Sequence, residues 1–438
     1  MQRFFTCVLI GWLSFSPLRT GGANSPGNVP LAETGGKPAV AGNLTMPWPK
    51  DLGTSHFGTI GRPDQPADFS GAWFRPHPGP FSWGDVETTP GTYDWSRIDA
   101  TVRQLQKQHV AILATIWPFA DWDQNAGYAN QPQVSPEAFP QFLPSRRYAP
   151  HDWKAYTAWL QALVERYDGD GIHNMPGLQY PIRHWEILNE PELREESGTF
   201  FQDTAQAYLN LLKQSYATIK KTDSAAVVLL AGQAGMLANH VNYWRPILGG
   251  ARGYFDLGNI HSIGGSESFY GPEYRRWLDQ FGYSGKHFWI TEALPVTISQ
   301  RGQPPPTDDQ RARSVLTGFA TDFSQGADVI FLVGSDPGTP PSEAVNRTFD
   351  LMAKTVGDFA TAKAEGPSTV KFTMRDGSAV YALWNQARLP SNETGTCRVL
   401  TYDGNSSTQP ASSIVARVPT LVVVPPPAGK QGTPSAAR

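Results

Sequence analysis

What most constrains the fold of this chain is an alternation between short unbroken apolar runs and longer stretches with helical spacing. Residues 111–117 read Ala-Ile-Leu-Ala-Thr-Ile-Trp and stop at Pro118. Before them, residues 97–108 place Ile98, Val102 and Leu105 on one helical face. Trp153–Tyr167 repeats that spacing through Tyr156, Leu160, Leu163 and Val164, and an apolar run over 182–188 follows. A helix over 205–220 leads into a run at 225–230. Further runs stand at 257–263, 287–291 and 329–333, the last preceded by an amphipathic stretch at 310–323. With candidates at 56–60 and 71–75, the runs number eight. A strand that is apolar throughout belongs in a parallel sheet, where crossover helices cover both faces. The prediction is an α/β fold, a (β/α)8 TIM barrel over residues 51–365.

Past residue 365 the texture changes. Thr369–Met374, 379–384, 398–402 and Thr420–Val424 are short β-rich runs separated by Asp-Gly, Pro and Asn turns. They predict a small C-terminal antiparallel β-module over residues 366–426. At the other end, Arg3, the apolar stretch 4–15 and the small residues Gly21, Gly22 and Ala23 have the form of a signal peptide, residues 1–23. That stretch, interrupted by Thr6 and Ser14, is too short to span a bilayer. Residues 24–50, rich in Gly, Pro and Asn, read as a linker, and 427–438 as a disordered tail. The expected location is secreted or periplasmic. No later segment reaches the length of a membrane span.

Several function classes are disfavoured. A formal charge of -3 over 438 residues provides no basic field for nucleic acid. Cys7 falls in the signal, which leaves Cys397 alone and offers no disulfide framework, Cys metal cluster or Cys–His pair. There is no phosphate-cradling glycine loop, Gly-x-Ser-x-Gly turn or metal-ligand cluster, so neither cofactor nor metal is expected. Residues 167–171 (Tyr-Asp-Gly-Asp-Gly) lack the further ligands of a calcium loop and read as the turn ending a helix. The compositional excess is aromatic: 14 Trp, 15 Tyr and 22 Phe. Most must fill the core, but some are expected to line a groove where flat rings stack on sugars.

Reactive groups in such a barrel stand at the C-terminal ends of the strands. Two strands end in a glutamate. One reads His184-Trp185-Glu186-Ile187-Leu188-Asn189-Glu190-Pro191, the other His287-Phe288-Trp289-Ile290-Thr291-Glu292. Two carboxyls facing each other across a cleft are what glycoside hydrolysis needs, one protonated to release the leaving oxygen and one ionised to attack. Asn-Glu-Pro can also open a helix, with Pro in its first turn. Glu186 is expected beneath the site as a buried carboxylate, and Glu192 is expected to face solvent. Arg75, ending the second strand, would pair with Glu292 and lower its pKa. Asn189 offers an amide for a sugar hydroxyl and Trp117 a stacking platform. Surface pairing for Arg75, core packing for Trp117 and a satisfied core position for His261 are the plainer readings.

Asn-Glu-Pro on the fourth strand and Thr-Glu on the seventh resemble glycoside hydrolase clan A. Residues 185–193 resemble family 39 within it, the β-xylosidase-like enzymes, as do residues 80–87 (Pro-Phe-Ser-Trp-Gly-Asp-Val-Glu) and 91–95 (Gly-Thr-Tyr-Asp-Trp). The resemblance implies Glu190 as acid/base, Glu292 as nucleophile and His261 as a site histidine. It implies a retaining hydrolase of O-glycosidic bonds in a polysaccharide or oligosaccharide, β-xylosides among the candidates, with carbohydrate as the partner. Two positions depart from the clan. A Tyr two residues beyond the histidine is replaced by Ile263, and residues 330–335 (Ile-Phe-Leu-Val-Gly-Ser) lack the Trp under the sugar. A non-catalytic carbohydrate-binding barrel and a transglycosidase are the alternatives.

Overall fold

The computed structural model describes residues 55–62, 71–77, 79–135, 140–195, 198–296, 304–333 and 342–425. The expected signal peptide, linker and tail lie outside the described residues. Eight parallel strands form the first sheet: β1 Phe57–Gly61, β2 Trp73–Pro76, β3 Ala111–Ile116, β4 His184–Ile187, β5 Val227–Leu229, β6 Gly258–Ile263, β7 Phe288–Leu294 and β8 Ala327–Val333. Their order is β5-β4-β3-β2-β1-β8-β7-β6. The remaining seam closes through parallel bridges Leu229 to Leu257 and Gln233 to Ile260. The result is the predicted (β/α)8 barrel.

Helices α1 Ser96–Gln106, α2 Trp153–Tyr167, α3 Ala205–Thr222, α4 Ala238–Gly250, α5 Gly271–Gln280, α6 Asp308–Ser324 and α7 Glu343–Val356 surround it. Their starts are written locally. The Asp152 carboxylate accepts from Ala155 N, and the Thr204 hydroxyl from Ala207 N. Thr307 and Gln310 form a reciprocal capping box at α6. Inside the barrel, Trp73, Leu113, Leu229, Leu257, Trp289, Val329 and Phe331 make an apolar floor. The His184 ring stacks on Trp289 at 4.9 Å, and Trp73 meets both edge-on.

A six-stranded antiparallel sheet follows, β9 Phe359–Gly366, β10 Thr369–Met374, β11 Ala379–Leu383, β12 Thr396–Thr401, β13 Ser406–Pro410 and β14 Thr420–Val424, in the order β9-β10-β11-β14-β12-β13. It contains two strands beyond the four expected, and β9 crosses the expected boundary at 365. Strand β9 reads Phe-Ala-Thr-Ala-Lys-Ala-Glu-Gly, a helix-prone composition overridden by pairing with β10. Strand β13 is a polar edge strand ending in Pro410, where a missing N–H costs nothing. Phe359 and Phe372 extend the barrel's outer core into this sheet, and the His56 ring stacks on Phe359 at 3.7 Å.

Candidate active site

Because side chains alternate along a strand, residues two positions beyond the floor also point inward. They are Arg75, Thr115, Glu186, Asn259 and Thr291, and all are fully buried. Glu186 is their hub. Its Oε2 accepts from Arg75 Nε at 2.8 Å and Thr115 Oγ1 at 2.5 Å, and its Oε1 from Asn259 Nδ2 at 2.6 Å and Thr291 Oγ1 at 2.9 Å. Glu186 is thus a fully buried, hydrogen-bonded carboxyl beneath the site, where it was expected.

Simple alternation would turn Glu292 away from its neighbour Thr291. An irregularity in β7 prevents this. Ile260 pairs with Ile290, but His261 pairs with Glu292, so β7 carries one extra residue. The same offset recurs against β8, where Ile330 pairs with Ile290 and Leu332 with Ala293. A bulge re-aims side chains in this way, and Thr291 and Glu292 both reach the barrel interior. On β4 the turn is made by backbone conformation instead. Leu188 and Glu190 have φ of 71° and 36°, in the left-handed region that non-glycine residues seldom occupy. Hydrogen bonds from Leu188 N to Ile116 O and from Glu190 N to Gly232 O hold that turn.

Five of the six predicted site residues therefore meet. Arg75 spreads its fork over two of the others and Glu186: Nη1 donates to Glu292 Oε1 at 2.7 Å, Nη2 to Asn189 Oδ1 at 2.6 Å, and Nε to Glu186. With its oxygen committed, Asn189 presents Nδ2 as a buried donor without a well-formed hydrogen bond. His261 stands between the acids, its Nδ1 2.8 Å from Glu190 Oε1 and 3.7 Å from Glu292 Oε1. One oxygen of each glutamate and one His261 nitrogen lie within 4.8 Å of one another. Among the described residues this is the one cluster spaced to hold a metal. The Arg75 cation bonded to Glu292 opposes a metal ion there.

Hydrogen-bond accounting locates a proton. His261 Nε2 lies 2.8 Å from Thr291 Oγ1, which also lies 2.9 Å from two acceptors, Glu186 Oε1 and Asn259 Oδ1. The single hydroxyl hydrogen goes to one of those acceptors, so Nε2 carries its own hydrogen and donates to Thr291. Burial lowers the His261 pKa and favours the neutral ring. The Nδ1 lone pair then faces Glu190, which must supply a proton to bond it. Consistently, burial pushes Glu190 up to about 8. Glu292 is also raised, because burial outweighs the opposing influence of the neighbouring His261 ring and the Arg75 guanidinium. The expected net lowering of Glu292 by Arg75 is thus corrected, although the ion pair itself is present.

Two further expectations change. Trp117 is fully buried, with Phe142 against it edge-on at 5.3 Å and Phe200 stacked at 6.1 Å. It is wall packing, not an open platform. Glu192 does not face solvent: it is 6% exposed, its Oε1 accepts from Ala234 N at 2.6 Å, and burial raises it to about 8. Sequence reasoning also passed over Thr115, Asn259 and Thr291. Their signal was available, since each lies two residues along its strand from a buried apolar one. Residues 167–171 do end a helix, α2 stopping at Tyr167.

No protein-family model and no curated protein sequence matches this chain. Solved structures do. A family 39 glycoside hydrolase from Bacteroides cellulosilyticus superposes with a TM-score of 0.56 at 15% identity, covering 86% of this chain and 82% of that one. A glucosidase from Croceicoccus marinus gives 0.54 at 13%, covering 86% and 97%. A family 39 β-xylosidase from Caulobacter crescentus gives 0.53 at 12%, with the same coverage. The resemblance to family 39 read from the sequence is thus met by similarity of fold, over 86% of this chain.

Proposed function

We propose that the protein is a retaining glycoside hydrolase acting on O-glycosidic bonds of a polysaccharide or oligosaccharide, β-xylosides among the first substrates to try. The observation that carries this reading is the facing pair Glu190 and Glu292, an oxygen of one within 4.8 Å of an oxygen of the other. A nucleophile reaches the anomeric carbon directly when the carboxyls are about 5–5.5 Å apart, whereas inverting pairs stand about 6.5–9.5 Å apart to admit a water.

In the first step Glu190 gives its proton to the glycosidic oxygen as Glu292 attacks the anomeric carbon. The carbon–oxygen bond to the leaving group breaks, and a glycosyl ester forms on Glu292. Glu190, now a carboxylate, takes a proton from water. That water attacks the same carbon, the ester breaks, and both carboxyls return to their starting states. Asn189 Nδ2 is placed to donate to a sugar hydroxyl beside the reacting carbon, and Arg75 keeps Glu292 oriented. The similarity of fold to a glucosidase and a β-xylosidase favours carbohydrate as the substrate class. We further propose export through residues 1–23, which sequencing of the mature N-terminus checks.

The test is turnover of a panel of nitrophenyl glycosides, with the anomeric configuration of the first product followed by proton NMR. Retention, with activity lost in Glu190→Gln and Glu292→Gln, is expected. Sugar binding without turnover would mean a non-catalytic barrel, and transfer to added acceptor sugars in preference to water would mean a transglycosidase.

A further inference from the structure

At the opposite end of the barrel from the reactive pair lies a cleft of about 580 Å³, set where β5, β6 and β7 begin. Along β7 the order is His287 in the cleft, Trp289 in the apolar floor and Glu292 in the site. Along β5, Val227 lines the cleft and Leu229 the floor. The floor therefore separates this cleft from the glutamates, and the two-step reaction makes no use of it.

Its lining carries Lys220, Arg252, Lys286 and His287 against a single acid, Asp256, in a chain whose net charge is -3. Two of these four are already matched. Asp256 Oδ2 stands 2.9 Å from Lys220 Nζ and accepts from Val228 N at 2.9 Å, and His287 Nδ1 lies 2.5 Å from Asp328 Oδ1. Among the described residues, Arg252 and Lys286 have no acid paired with them. Lys286 Nζ donates to Phe255 O at 2.8 Å and Arg252 Nη2 to Phe281 O at 3.4 Å, which leaves most of their donors to solvent or a ligand. Burial lowers the Lys286 pKa, and the Asp256 charge, shared with Lys220, does not offset it.

Both cations are held in place. The Lys286 ammonium lies 5.2 Å from the centre of the Phe255 ring and the Arg252 guanidinium 5.6 Å from that of Tyr283, and the two rings meet edge-on at 4.9 Å. Arg252 is also laid against the turn at Gly282, with φ of 77°, where a Cβ would stand 2.8 Å from Nη2. The wall formed by Val227, Leu257 and Tyr283 is buried and largely apolar. These features select the occupant. A neutral ligand would leave two charges unmatched, and a cation would be repelled. A single inorganic anion would fill a small part of a cleft this size. An organic anion with two charged groups meets Arg252 and Lys286 separately and lays its carbon skeleton on the apolar wall.

We infer that the cleft between Arg252, Lys286 and Tyr283 is a binding site for a small organic anion carrying two or more carboxylate or phosphate groups. The site stands apart from the proposed function and holds whether or not the chain cleaves glycosides.

The test is calorimetric titration of the full chain at low ionic strength with citrate, fructose 1,6-bisphosphate and inorganic phosphate, in wild type, Arg252→Gln, Lys286→Gln and Gly285→Glu. A Cβ on Gly285 meets nothing within 4 Å, so the last change adds an acid at the rim without disturbing packing. Thermal melts without ligand, expected to match wild type, show that the variants are folded. Citrate or fructose 1,6-bisphosphate is expected to bind wild type with a Kd of about 1 mM or tighter, and at least about tenfold more weakly in each variant. Absence of binding by both organic anions overturns the site. Binding that keeps its strength in Gly285→Glu or Arg252→Gln overturns it too, as does inorganic phosphate binding as tightly as the organic anions.

Discussion

Replacing Thr291 by Val keeps the side-chain shape and removes one hydroxyl, the atom that fixes the His261 tautomer. In the wild-type site that oxygen lies 2.8 Å from His261 Nε2 and 2.9 Å from both Glu186 Oε1 and Asn259 Oδ1, with no solvent access. Without it, the Nε2 hydrogen is buried and unmatched, at a cost of about 1–3 kcal/mol. The ring escapes most of that cost by moving its hydrogen to Nδ1, facing Glu190. Glu190 then accepts instead of donating, which favours its ionised form, so its pKa falls from about 8. A hydrogen bond to a charged group is worth about 1.5–3 kcal/mol, and about 1.4 kcal/mol corresponds to one pH unit. The alkaline limb of kcat/KM, which reports the acid in the free enzyme, is therefore expected to move down by about 1–2 pH units. The assay is a pH profile on a glycoside with a poor leaving group, where proton donation matters. Thr291→Ser, which keeps the hydroxyl, is expected to retain the wild-type limb. An unchanged limb in a folded, destabilised Thr291→Val protein would refute the proton assignment.

Three other outcomes follow from the same geometry. Glu192 has an ordinary pKa of 4.5 and is raised to about 8 in the fold, so its contribution is fullest below 4.5 and is lost as pH rises to about 8. Glu192→Gln removes that loss, on the order of 4–5 kcal/mol at about 1.36 kcal/mol per pH unit, so thermal melts should show it gaining on wild type between pH 5 and 8; parallel melts would contradict this. A Cβ on Gly232 would stand 1.8 Å from His261 Nε2, so Gly232→Ala is expected to displace the imidazole and cut kcat/KM at least about 100-fold, the scale of a misplaced catalytic group, while removing no reactive atom. Arg75→Met strips the counter-charge from buried Glu186 and Glu292, which should cost about 3–5 kcal/mol in denaturant unfolding and raise the acid limb of the pH profile. Arg75→Lys is not expected to restore activity, because a single ammonium cannot hold Glu186, Glu292 and Asn189 together.

The barrel was legible because strands covered on both faces are written as unbroken apolar runs, as in 111–117 and 257–263. Glu190 and Glu292 were legible because strand ends are local properties, and Glu186 because period-two spacing along β4 is one. What depended on distant chain was not. The fate of Glu192 is set by Ala234 N, forty-two positions away in the chain. The upward direction at Glu292 comes from burial by the closed barrel, which a neighbouring Arg75 does not overcome. The bulge that turns Glu292 inward is a register offset between β7 and both flanking strands, and the letters Ile290-Thr291-Glu292 carry no mark of it. Strand β9 was hidden by its Ala and Lys content, and α4 by the Pro246 it contains.

The central claim is that Glu292 forms the covalent bond to the sugar while Glu190 handles the proton. The direct measurement is to incubate the protein with 2-deoxy-2-fluoro glycosides bearing activated leaving groups, then locate the added mass by peptide mapping. The account predicts stoichiometric labelling of the peptide containing Glu292, with no label in Glu292→Gln. A label on Glu190, or steady turnover of substrate with no covalent adduct, would contradict it.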